Sequence, residues 1–189
     1  MARPRAFDLD TAVDRAMTLF WRNGYNPTSP RQLADHLGIG AGSLYNAFGS
    51  KYGLFIATLA RYHDHEASKL TDALTTQTGP VRDRIRAAVQ PYLATDDQAG
   101  CFAVNTAVEL AATDEAAAEL VRRMFDRLRD TLRALIEEGS LTGEITAGRD
   151  PAALAAMLMN TINGLRLLAR TGRDPDELRQ ILDTTLDLL

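Results

Sequence analysis

Between positions 33 and 51 the chain reads LADHLGIGAGSLYNAFGSK. Gly38, Gly40 and Gly42 come first, and Ser43, Tyr45, Asn46 and Lys51 follow. Serine and asparagine are short side chains that exchange hydrogen bonds with base edges, whereas a tyrosine hydroxyl is long enough to meet a phosphate. A lysine at the start of the next helix sets a cation beside backbone N–H groups that themselves favour an anion. Thr28 and Ser29 stand at another predicted helix start, where the same anion chemistry applies. A surface fitted to a groove and its phosphates is one reading; an ordinary helical bundle with a surface tyrosine after a glycine turn is the plainer one.

The second reactive candidate is Cys101, the single cysteine. It excludes an internal disulfide and a Cys-rich zinc site, leaving inert packing or one reactive thiol. A predicted helix start at that position favours the thiolate, with Asp96 and Asp97 acting the other way. An enzyme built on Cys101 needs a base beside it, yet His36, His63 and His65 all lie in the first third of the chain with no triad-like motif. The run His63-Asp64-His65-Glu66 invites a metal reading. On a helix His63 and His65 point about 200° apart, so a solvated face is expected and neither a metal nor another cofactor.

The elements that position these groups read as helices throughout. Leu9, Val13, Ala16, Met17 and Phe20 recur at helical spacing over residues 8–23, and Gly24 closes the run. Ser29, Pro30 and Gln32 form a capping-box start, Leu33, Ala34 and Leu37 face inward, and Gly38 ends the helix after about two turns. A third short helix over 41–48 is anchored by Leu44 and Phe48; a long one follows from Ser50 to about residue 74. Further helices are expected over 81–94, 101–113, 114–138, 151–171 and from 174 on, with loop over 139–149. The expected fold is all-α with about nine helices: a three-helix helix-turn-helix head at 1–52 and a larger helical ligand-binding and dimerisation body at 53–189.

Composition agrees with a soluble helical protein: 46% of residues are hydrophobic, 6% aromatic and 24% charged, which supports a sizeable core with little strand. There is no uncharged apolar run of about 18 residues, and the N-terminus MARPRAFDLD meets charge where a secretory signal would be apolar, so a cytoplasmic protein without a membrane partner is expected. The net charge of −4 is unevenly spread. Arg3, Arg5, Arg15, Arg22, Arg31 and Lys51 outnumber Asp8, Asp10, Asp14 and Asp35, leaving residues 1–55 basic and the remainder acidic. A basic head on an acidic body suits contact with a polyanion through one end.

The run from Thr28 to Phe55, with LADHLGI, SLYNAFGSK and LF, resembles the DNA-binding region of the tetracycline-repressor (TetR) family of bacterial regulators. Motif detail extends from about Phe7 to Phe55; the remaining helices are similar in number and length. The resemblance implies a homodimer that binds a double-stranded operator through its heads and releases it when a small ligand enters the body. Gly40 and Ala41 depart from the usual pattern of a capping serine or threonine followed by a polar residue, which keeps a helical interaction module without DNA binding as an alternative. Candidate DNA contacts are Arg3, Arg5, Thr28, Ser29, Gly42, Ser43, Tyr45, Asn46 and Lys51. Arg3 and Arg5, in an N-terminal arm, would reach phosphates or the minor groove.

The stretch GCFAVNTAVELA, residues 100–111, is similar to a segment of a branch that includes electrophile-sensing and flavonoid-responsive repressors. Candidate ligand contacts are Cys101, Asn105, Thr106, Asn160 and Thr161, with Phe102, Met124, Phe125 and Met157 as an apolar wall; helix–helix bonds and core packing are the alternatives. The helix after Pro151 carries two apolar stripes, one of them Ala155, Met159, Asn163, Leu167 and Arg170. With Leu178 and Leu182 of the last helix, that stripe is the expected two-fold interface, against a thick monomeric core.

Overall fold

The computed structural model describes residues 7–93, 100–146 and 148–189. Ten helices run in the order α1 (Leu9–Asn23), α2 (Pro30–Leu37), α3 (Ala41–Phe48), α4 (Lys51–Tyr62), α5 (Ser68–Thr76), α6 (Val81–Val89), α7 (Phe102–Leu110), α8 (Glu115–Thr142), α9 (Pro151–Ala169) and α10 (Pro175–Asp187). A π-helical turn, His63–Ala67, joins α4 to α5 in one continuous rod, so the expected count of about nine holds with that rod taken as one. No strand occurs among the described residues.

Local chemistry explains the head. The Asp8 carboxylate accepts from the Thr11 N–H at 2.7 Å and starts α1. The capping box of α2 is complete: Ser29 Oγ accepts from Gln32 N at 3.2 Å, and Gln32 Oε1 accepts from Ser29 N at 2.8 Å. Gly38 closes α2 in a left-handed conformation, and Gly40 begins α3 with no side-chain cap. Ser50 Oγ then caps α4 through the Gly53 N–H at 2.9 Å. The Arg15 guanidinium donates to the His36 and Leu37 carbonyls, placing a cation at the C-terminus of α2 and fixing it to α1.

Two apolar cores stack along the rod. The first joins Phe20, Leu33, Leu44, Leu54 and Leu59 to Cys101, Phe102, Leu110 and Met124, so α7 and the start of α8 pack into the head's own interior. The second gathers Leu70, Leu74, Ile85, Leu132, Leu158 and Leu182 from α5, α6, α8, α9 and α10. The expected division at 52/53 falls just inside α4, within the first of these cores.

Three boundaries differ from expectation, the first being α6, which ends at Val89 and passes into a 3-10 turn, Gln90–Tyr92. Helix α7 ends at Leu110, with Cys101 as its N-cap residue. Helix α8 continues past the expected stop at the buried Gly139 to Thr142, where the left-handed Gly143 closes it. A Cβ on Gly139 would lie 2.7 Å from Ile145 Cδ1, so the glycine lets Ile145 fold back onto the helix. By length and composition α9 is apolar enough to cross a membrane. Its buried Leu154, Leu158, Ile162 and Leu165 belong to the second core, which accounts for that composition.

Candidate functional site

The two short helices of the head present α3 outward. Leu44 is fully buried beneath it, while Gly42, Ser43 and Asn46 are exposed and Tyr45 is 37% exposed. These four residues therefore share one accessible side of a helix held by its neighbours, as DNA readout requires. Lys51, at the start of α4, is half-buried: its Nζ lies 4.2 Å from the Tyr25 ring centre and donates to the Asn26 carbonyl at 3.5 Å. Burial holds this ammonium below the ordinary lysine value, and Glu109 opposes that shift.

Thr28 does not join this surface. It is fully buried, and its hydroxyl donates to the Gly24 carbonyl at 2.6 Å, so its role is to close the α1–α2 turn. Ser29 is half-buried and already caps α2. Arg3 and Arg5 lie outside the described residues.

The nine expected ligand contacts do not converge. Phe102, Met124 and Phe125 pack in or against the first core, whereas Met157 packs against the second. Asn160 is exposed, and Thr161 donates within its own helix to the Met157 carbonyl at 3.1 Å. Asn105 Nδ2 donates to the Trp21 carbonyl at 3.3 Å, the helix–helix bond that was the alternative; Thr106 Oγ1 is buried without a hydrogen-bond partner. None of the nine lines the open cleft of about 830 Å³ between α5, α6 and α8, where Thr75, Arg84, Arg127 and Asp130 are found.

Cys101 instead sits in a buried polar cluster. Its Sγ is 3.6 Å from Tyr62 Oη, which receives a hydrogen bond from Arg166 Nη2 at 3.3 Å. The Arg166 guanidinium also lies 4.7 Å from the Tyr92 ring centre and has no carboxylate partner among the described residues. Burial pushes the Tyr62 phenol well above its ordinary range, Cys101 adding to the effect and Arg166 opposing it. Burial acts against the Arg166 charge, yet Cys101, Tyr62 and Tyr92 outweigh it and favour the charged form. Sequence reasoning missed Arg166 and Tyr62; the available signal was Arg166 as the one charged side chain of α9.

The expected dimer residues divide by exposure. Ala155, Leu178 and Leu182 lie inside the second core of a single chain, so they belong to the monomer and not to its surface. The reason is that α9 packs against α8 and α10, and α10 against α9 and α6, within the one chain. Met159, Asn163 and Arg170 are half-buried, and Leu167 is 48% exposed. Ile181 and Leu188 of the α10 region are exposed apolar residues that the pattern reading passed over.

Residues 12–58 match the family described as bacterial regulatory proteins, tetR family, and residues 82–185 match the tetracyclin repressor-like C-terminal domain. The chain belongs to the TetR family. It is a DNA-binding transcriptional regulator, and the first matched region covers α1 to α3 and the start of α4. The chain is 34% identical to the HTH-type transcriptional repressor ComR of Escherichia coli, over 98% of this chain and 90% of ComR. It is 31% identical to YezE, an HTH-type transcriptional regulator of Bacillus subtilis, over the full length of both. Among solved structures, a cysteine mutant of the TetR-family regulator CifR in complex with 26-bp operator DNA superposes with a TM-score of 0.86, at 29% identity over 98% of each chain. The reduced form of Escherichia coli NemR shares the fold, with a TM-score of 0.83 at 23% identity over 95% of each chain.

Proposed function

We propose that this protein is a homodimeric transcriptional repressor that leaves a near-palindromic operator when a small effector enters its body or when Cys101 is modified. The observation that carries the reading is the exposed Gly42, Ser43, Tyr45 and Asn46 face of α3, set on a capped two-helix frame. ComR is a repressor, and CifR is seen on operator DNA, which supports the same use of this head. Ser43 and Asn46 read base edges, Tyr45 and Lys51 contact phosphates, and Arg3 and Arg5 extend the contact along the duplex. Two recognition helices reach half-sites about 34–36 Å apart. The partner chain is held through Met159, Asn163, Leu167 and Arg170, together with Ile181. The protein acts in the cytoplasm and catalyses no reaction.

Cys101 is 5% exposed, and its thiol meets Tyr62, which is itself packed edge-to-face on Phe102, so an adduct must displace its neighbours. Displacement at the start of α7 is the proposed route to release. The test is fluorescence anisotropy of the dimer on its own upstream intergenic duplex, over a salt series, before and after N-ethylmaleimide. The thiol adds across the maleimide double bond, its proton passing to the adjacent ring carbon, with no leaving group. Specific binding lost on alkylation, and retained in treated Cys101→Ala, supports the thiol route. Binding indifferent to alkylation leaves effector release alone. A duplex bound equally at every sequence refutes the operator reading, and a monomer by light scattering at micromolar concentration refutes the dimer.

A further inference from the structure

We propose that Glu109 is the positioning residue that holds the DNA-binding head in its operator-ready orientation, and that a change at Cys101 reaches the head through it. The second half rests on the thiol reading above; the first stands without it.

Glu109 lies near the end of α7 and uses both carboxylate oxygens on one short turn of the head. Oε2 accepts from the Tyr25 N–H at 2.8 Å, and Oε1 accepts from the Asn26 N–H at 2.6 Å. Those two residues connect α1 to α2 and would otherwise leave two backbone donors without a protein acceptor. The fit is close: a Cβ on Gly24 would lie 2.9 Å from Glu109 Oε2. The same turn governs Lys51, whose Nζ meets the Asn26 carbonyl and the Tyr25 ring. A single carboxylate from the body therefore fixes the turn that leads into α2 and the resting place of a proposed phosphate contact.

The opposite end of α7 is the thiol site. Trp21 Nε1 donates to the Gly100 carbonyl at 3.2 Å, and Asn105 binds the Trp21 carbonyl. Helix α7 thus lies along the end of α1, with Cys101 at one terminus and Glu109 near the other. Eight residue steps separate them, about 12 Å of helix that moves as a unit. Val108, next to the latch, is 82% exposed, so α7 has a face free to swing outward. Hydrogen bonds of this kind weaken within about 0.5–1 Å of stretch, so a small tilt at Cys101 opens the clamp.

The experiment uses the full-length protein, wild type and Glu109→Gln, each with and without N-ethylmaleimide, which has one cysteine to modify. Amide hydrogen exchange of Tyr25 and Asn26 reads the clamp directly, anisotropy on the upstream duplex reads DNA binding, and the α8 core amides report global folding. Glu109→Gln is expected to weaken operator binding about ten-fold, because the turn that carries Lys51 and leads into α2 loses its acceptor. It is also expected to speed exchange at Tyr25 and Asn26 while α8 stays protected. In wild type, alkylation speeds the same two amides; in the variant it adds nothing further, the non-additivity expected of coupled sites. Wild-type affinity in Glu109→Gln overturns the positioning role. Alkylated wild type that loses DNA while both amides stay protected overturns the transmission route. A ten-fold loss in Glu109→Gln with a wild type indifferent to alkylation keeps the positioning role and removes the thiol reading alone.

Discussion

Replacing Gly24 by alanine tests the head-to-body joint most directly. Gly24 has φ 86° and ψ 170°, a combination that is nearly exclusive to glycine. An L-residue forced there costs about 1–3 kcal/mol. The new Cβ also stands 2.9 Å from Glu109 Oε2 and must push aside a carboxylate that accepts two backbone N–H groups. Each such charge-assisted bond is worth about 1.5–3 kcal/mol when well shielded; these are half-exposed, so about 1 kcal/mol in all is a fair discount. Together the two effects come to about 3 kcal/mol, a fall in Tm of about 6–12 °C for a domain of this size. Gly42→Ala is the counterpart, since nothing lies within 4 Å of its would-be Cβ and its φ is ordinary. Alanine gains up to about 1 kcal/mol there from helix propensity, so Tm should stay level or rise by a few degrees. Calorimetry of both variants at matched protein concentration decides it. A Gly24→Ala protein melting within about 2 °C of wild type would refute the reasoning, because neither the backbone region nor the carboxylate contact could then be as described.

Other substitutions separate the remaining roles. Tyr45→Phe and Lys51→Ala should weaken binding to all duplexes, Lys51→Ala flattening the salt slope by about one, whereas Asn46→Ala should relax preference at particular base pairs; equal loss of specificity from all three would contradict the assignment. Leu167→Glu should dissociate the proposed dimer in sedimentation with helicity intact, while Leu178→Glu, inside the monomer core, should unfold the chain. The Asp8 carboxylate is held below its ordinary value chiefly by the Thr11 backbone N–H. A lowered folded value contributes stability above the unfolded range of about 4 that is lost as pH falls through it, so the gap in denaturation midpoint between wild type and Asp8→Ala should be present at pH 7 and close below that range.

The head was legible in the sequence because its signals are local. Ser29, Pro30 and Gln32 specify a helix start by hydrogen bonds within four residues, and Gly38 specifies its end, so both boundaries and the outward side of α3 could be read directly. The body was legible only as helices. Whether Ala155 or Leu178 faces a partner or the chain's own core depends on which neighbours cover it, and periodicity says nothing about neighbours. Gly139 reads as a stop, yet it lies inside α8 beneath Ile145, and Gly143 closes the helix. Glu109 passed unnoticed because its two partners are more than eighty positions away and are backbone groups, which carry no side-chain signature. Arg166 was hidden in the same way, its meaning set by Tyr62 and Tyr92 on other elements.

The π-helical turn at His63–Ala67 constrains the gene as well as the fold. Leu59 and Tyr62 before it belong to one core, and Leu70 and Leu74 after it belong to the other. A π turn accommodates one residue beyond the α-helical count, and each residue of an α-helix advances the side-chain direction by about 100°. Removing a single codon from this stretch would return the rod to the α-helical count and keep Leu70 and Leu74 in phase with Ile85 and Leu132, whereas the same loss inside α4 or α5 would turn the residues beyond it by that angle. Substitutions at the exposed Asp64 or His65 leave that phase untouched. A one-residue loss between Tyr62 and Leu70 is therefore tolerated where the same loss elsewhere in the rod is not, and related chains should differ in length by one residue at this turn before they do so within α4 or α5.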